Sequence, residues 1–160
     1  GRRRADARHK NMSGGLTMLR KLILAASTAA LIATPAIAQD YSLEPNFGTF
    51  SLAAGFNPDP AELAIVAGGT VDASSVGCAG MISQAPDARL MWTGGQFSLG
   101  ATSDADTTIV VNTPDGSWVC ADDTNGFNPE VTVSGSGQYD IWVGVFGGGT
   151  AAATLYATEF

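Results

Sequence analysis

From residue 49 onward, apolar and polar positions alternate in short runs, each closed by Gly, Pro, Asn or Asp. Phe50 and Leu52 alternate with Thr49 and Ser51, and Phe97, Leu99 and Ala101 with Ser98, Gly100 and Thr102. Val131 and Val133 alternate with Glu130 and Thr132, and Ala153, Leu155 and Ala157 with Thr154, Tyr156 and Thr158. A period of two is that of strands with one buried face. Tyr139–Phe146 differs: Ile141, Val143 and Val145 share one face, while Trp142 and Phe146 make the other apolar as well. That predicts a central strand covered on both sides. Gly68-Gly69, Gly94-Gly95, Pro114-Asp115-Gly116 and Gly147-Gly148-Gly149 supply turn chemistry between the runs, and Pro58, Pro60 and Pro86 mark loops or edges. Eight to ten short strands at this spacing predict an all-β domain, an antiparallel sandwich or jelly roll. No self-similar period suggests a repeat array, and no sustained helical period follows residue 38.

The stretch before this domain has another pattern. Arg20 and Lys21 precede an apolar run from Leu22 to Ala33, Pro35 breaks it, and Ala36-Ile37-Ala38 ends in small residues. This order predicts a bacterial secretory signal peptide over residues 18–38, cleaved after Ala38. The apolar run is about a dozen residues, too short for a bilayer span of roughly 20. Residues 1–17 are basic, polar and aperiodic, and are not expected to belong to the fold. The expected mature domain is then residues 39–160, located in the periplasm or secreted.

Charge narrows the partners. Past Ala38 the chain has one basic residue, Arg89, against fourteen acidic ones, a net of −13. A phosphate-backbone binder needs Lys and Arg to release counterions. Nucleic acid is therefore excluded as a partner, as is an anionic membrane surface once the leader is removed. Cys78 and Cys120 are the only cysteines, and an even pair in an oxidising compartment reads as a disulfide.

The residue types also close off common catalytic routes. The only histidine, His9, precedes the expected leader, and residues 39–160 contain no lysine. A Ser-His-Asp triad, a Cys-His dyad and a Ser-Lys dyad each lack a base, and zinc hydrolysis lacks its usual ligands. Carboxylate chemistry of the glycosidase kind stays open, with fourteen acids but nothing to select a pair.

The acids are unevenly spread. Asp104 and Asp106 lead into a strand at Thr107–Val111, and Asp122, Asp123, Asn125 and Asn128 crowd the loop after Trp118–Cys120. If the two strands pair as a hairpin, Asp104, Asp106, Asp122 and Asp123 meet at one end as hard oxygen ligands suited to calcium. The spacing is not that of an EF-hand, because position 132 is Thr. The other reading is that these are ordinary turn residues. Trp92 and Trp118 are candidate binding aromatics, whereas Trp142 and Tyr139 read as structural. Tyr139, in a Gly-x-Tyr step at the start of a strand, has the position of a tyrosine-corner latch.

Ser103–Gly116, Ala121-Asp122-Asp123 and Ser136–Val143 follow one another in an order that resembles the bacterial pre-peptidase C-terminal domain. That pattern has an Asp-rich lead into a strand, a Pro-x-Gly turn, a second acidic loop and a Gly-x-Tyr opening. The match covers about 58 residues, Ser103–Phe160. The resemblance implies a β-sandwich or jelly roll appended to secreted proteases, non-catalytic and often calcium-binding, with Asp104, Asp106, Asp122 and Asp123 at the ligand positions. No protease domain accompanies it here. Together these readings predict an exported accessory or binding module, its partner an extracellular or envelope polymer or protein. The alternatives are a hydrolase, serine-peptidase-related or carboxylate-based, and a purely structural envelope protein.

Overall fold

The computed structural model describes residues 38–160, so residues 1–17 and all but the last residue of the expected leader lie outside them. Among the described residues the alternating runs form eleven strands. They are β1 (Thr49–Ala53), β2 (Ala61–Gly69), β3 (Val71–Asp72), β4 (Met81–Ile82), β5 (Ala88–Thr93), β6 (Gln96–Thr102), β7 (Thr107–Asn112), β8 (Trp118–Ala121), β9 (Glu130–Ser134), β10 (Gly137–Val145) and β11 (Gly149–Thr158). A single 3₁₀ turn, Ala73–Val76, is capped by the Asp72 carboxylate, which accepts from Ser74 N–H at 2.9 Å. No helix among the described residues is long and apolar enough to cross a membrane.

The strands make two sheets. Four pair in the order β2-β11-β6-β9, and seven form the other, with β10 at its centre. β10 pairs with β7 through Asp140–Val145 and, along its other edge, with β5 through Gly137–Ile141 and with β4 at Val145. Every pairing is antiparallel except β1 on β5. The fold is the expected all-β sandwich, with one parallel edge that alternation alone does not reveal.

Period-two alternation places the inner faces as read. Phe97, Leu99 and Ala101 from β6, Val131 and Val133 from β9, and Ala153, Leu155 and Ala157 from β11 all join the main core. They meet Leu90, Ile109, Val111, Tyr139, Ile141 and Val143 of the larger sheet. Full burial of one such Leu or Ile is worth about 2 kcal/mol. Aromatic edges lock the middle: the Phe97 ring stands 5.1 Å from Tyr139 at 88° and 4.5 Å from Trp92. Tyr139 O–H donates to Gly135 O at 2.6 Å, which is the latch its position predicts.

The outer face of β10 is covered too. Trp142 packs with Val71, Ala73, Cys78, Ile82 and Val110 in a second apolar cluster, roofed by the segment Val71–Ile82. Close approach of this roof requires Gly144, where a Cβ would strike the Thr108 hydroxyl and the Ile82 side chain. The disulfide Cys78–Cys120 fastens the roof to β8 across a sequence separation of 42, with Cα atoms 5.9 Å apart. Phe146, in contrast, does not extend the apolar face of β10. It follows the last strand residue and is 57% exposed, because the chain turns there toward β11.

Candidate functional site

Two places on the sandwich gather polar side chains. The first is the end where β7 begins and β8 finishes. β7 and β8 pair antiparallel, Ile109 opposite Ala121, so Asp106 just before one and Asp122-Asp123 just after the other reach the same end. Backbone ties hold the three loops there together. Thr107 N–H donates to Phe127 O at 3.2 Å, Phe146 N–H to Asp106 O at 3.0 Å, and Ser103 N–H to the Asn128 side chain at 3.1 Å. Thr124 closes the loop by bonding both the N–H and the C=O of Glu130.

Asp106, Asp122 and Asp123 each bring one carboxylate oxygen within 4.8 Å of the others. Asp106 Oδ1 and Asp122 Oδ1 are both buried without a hydrogen-bond partner. Burial, then the charges of Asp123 and Asp106, raises the Asp122 pKa. Converging carboxylates with orphaned oxygens suit a hard divalent cation such as calcium, whose remaining ligands would be carbonyls and water. Asp104 stands apart: it is exposed and lines a groove with Asn128, Thr102 and Thr154. Asn128, read from sequence with the loop acids, spends its side-chain oxygen on Ser103.

The aromatic candidates separate as well. Trp92 is a core residue, not a binding surface: it is 2% exposed, Phe56 packs edge-on at 6.0 Å, and its indole N–H donates to Gly95 O at 3.0 Å. The inter-sheet corner at Gly94-Gly95 folds against its ring, which draws Trp92 inward. Trp118 is half-buried and reaches the surface. Its ring lies 5.5 Å from Trp142 on one side and 6.5 Å from the exposed Tyr41 on the other.

Trp118 also begins an arrangement that the strand pattern did not disclose. Strand register aligns Trp118 with Asn112, Asn112 with Asp140, Asp140 with Arg89, and Arg89 with Thr49. One row of polar side chains thus crosses the outer face of the larger sheet. Arg89 Nε donates to Asp140 Oδ1 at 2.6 Å, and Gln138 Nε2 to Asp140 Oδ2 at 2.9 Å. Arg89 Nη2 reaches on to the carbonyls of Tyr41 at 2.7 Å and Leu43 at 3.1 Å, strapping the N-terminal segment over the sheet. The chain's one cation after residue 38 is thereby used internally.

A buried carboxylate, Asp87, anchors the same segment. Its Oδ2 accepts from Val143 N–H at 2.7 Å, and its Oδ1 from Ser83 Oγ at 3.3 Å and Asn46 Nδ2 at 3.4 Å. Burial outweighs these bonds and raises its pKa to about 6. Nothing in the alternation pointed to Asp87.

No protein-family model matches the chain, and no curated protein matches it in sequence. Among solved structures, it is similar to the crystal structure of Aeromonas hydrophila PliG, a periplasmic lysozyme inhibitor of g-type lysozyme. Identity is 13%, the alignment covers 69% of this chain and 96% of that one, and the TM-score is 0.42.

Proposed function

We propose that the chain is an exported, non-catalytic binding module of the pre-peptidase C-terminal kind, stabilised at one end by calcium. Its partner is an envelope or extracellular polymer or protein. The observation that carries the calcium site is the convergence of Asp106, Asp122 and Asp123 with two orphaned carboxylate oxygens. Such buried oxygens are costly unless something positive meets them, and the one basic side chain after residue 38 is committed to Asp140. Absence of catalysis is supported by residue type, since the chain past residue 38 offers no imidazole and no amine side chain. Export is supported by the leader-like order of residues 18–38, and by a disulfide that suits an oxidising compartment.

The test is a sign inversion. In chelator, Asp122→Asn relieves repulsion among the three acids and raises the unfolding midpoint of the purified protein. In millimolar calcium the wild type gains about 2.7 kcal/mol at a hundredfold excess over Kd. The variant gains far less, so the order of the two proteins reverses. A wild-type midpoint that calcium leaves unmoved would return the trio to ordinary turn chemistry. Covalent labelling of the protein by a serine-hydrolase probe would overturn the non-catalytic reading.

A further inference from the structure

The polar row ends in a cleft of about 430 Å³ between the N-terminal segment, the β7–β8 turn and β10, a volume within the range of small-ligand sites. Tyr41, Trp118, Pro114 and Gln138 form its rim, with Asn112 and Asp140 below. From this geometry we infer that the cleft binds a neutral sugar unit, stacked against its aromatic rim and held by amide side chains. The inference rests on the binding-module reading and adds the ligand class.

Three features select that chemistry. The first is charge. Asp140 has both oxygens engaged, by Arg89 and Gln138, so the cleft offers no free carboxylate to a cation. The neighbouring Asp115 carboxylate is turned into its own loop, accepting from the Thr113 hydroxyl and from Ser117 N–H at 2.9 Å. An anionic ligand would approach a domain of net charge −13. The second is the amides. Asn112 is 7% exposed, and its Nδ2 stands 3.4 and 3.5 Å from the Gly116 and Ser117 carbonyls, at the outer limit of a bond. Its oxygen accepts no bond from the described residues and is not sealed from solvent, so it is open to a donor from the cleft. Gln138 likewise donates to Asp140 and keeps its oxygen free. The third is the aromatic pair. Tyr41 and Trp118 stand 6.5 Å apart and tilted by 59°, in contact with each other, and Trp142 backs Trp118, so the pair offers one supported aromatic surface to the C–H face of a ring.

The three tryptophans give a local readout, because Trp92 and Trp142 are buried whereas Trp118 faces the cleft. Purified protein is titrated with β-1,4-linked tetramers of glucose and of N-acetylglucosamine while the indole N–H resonances are followed. The expected result is a saturable shift of the Trp118 indole while Trp92 stays fixed. Tyr41→Ala, which removes an exposed side chain, should weaken binding about tenfold with an unchanged unfolding midpoint. Gln138→Ala, which also takes the donor from Asp140 Oδ2, should weaken binding similarly at a temperature where the variant is fully folded. No Trp118 shift up to about 10 mM sugar, or equal binding by both variants, overturns the proposal. So does a shift produced by a mixed tripeptide pool but by neither sugar. Binding accompanied by cleavage of the tetramer would support the cleft and sink the non-catalytic reading. Absence of binding overturns the cleft alone.

Discussion

Asp87 makes the stability of this domain rise as the solution is acidified toward pH 4. It is 1% exposed, and desolvation moves its pKa from 3.8 to about 6. Between those values the folded chain holds a proton that the unfolded chain releases. A carboxyl raised in this way contributes stability that is complete below pH 3.8 and is lost as pH rises through about 6. The displacement corresponds to about 3 kcal/mol. Asp87→Asn preserves the shape and the acceptor for Val143 N–H but cannot ionise, so it mimics the protonated state. Urea unfolding of both proteins, in steps between about pH 4 and 8, isolates the effect. The general relief of a −13 net charge on acidification is nearly common to the two, and largely cancels in their difference. The expected stability difference, variant minus wild type, is 2 to 3 kcal/mol more favourable to the variant at about pH 7.5 than at about pH 4. Parallel pH profiles would refute the reasoning, showing that Asp87 ionises freely through relaxation or water entry.

Other perturbations follow from the packing. Reducing Cys78–Cys120 releases the roof over Trp142 and should cost about 4 kcal/mol on the chain-entropy estimate for this loop. Thermal unfolding with and without reductant should show a midpoint lower by roughly 10–20 °C, and a change of only a degree or two would deny the staple its role. Tyr139→Phe deletes the hydroxyl bonded to Gly135 O and leaves that carbonyl without its partner. A loss of about 1–3 kcal/mol in denaturant midpoint analysis is expected, and no measurable loss would show the latch to be ornamental.

Much of the sandwich was legible because one-sided burial writes itself into the chain as alternation: Phe97, Leu99 and Ala101 point inward together, as do Ala153, Leu155 and Ala157. Phe146 misled because apolarity at the end of a run does not reveal where the chain turns. The parallel placement of β1 was hidden, since alternation carries no direction. At the acidic end, the hairpin reading brought Asp106, Asp122 and Asp123 to one place, but it could not separate Asp104, which lies two residues further along the lead. The polar row depends on register across five strands, which no local pattern contains. Part of it was nevertheless open to deduction. Asp140 sits in a strand covered on both faces and needs a positive partner, and past residue 38 only Arg89 can supply one. Trp92 shows the limit of such reading, since an indole at a Gly-Gly corner can face either way until the corner's backbone accepts its N–H.

The internal use of Arg89 also bears on how this domain meets proteases. Enzymes that cut after Lys or Arg find a single target in residues 39–160, the Arg89–Leu90 bond. That bond lies in β5, flanked by β1 and β10, with Leu90 fully buried and the Arg89 side chain held by Asp140. No trypsin-like active site can reach it without separating the central strands. Digestion therefore proceeds only through the opened chain, and one cut, giving two pieces that Cys78–Cys120 keeps joined until reduction, reports each such opening. Among the described residues, the side chain that straps down the segment around Tyr41 and Leu43 also leaves the folded surface with nothing for this class of enzyme to recognise.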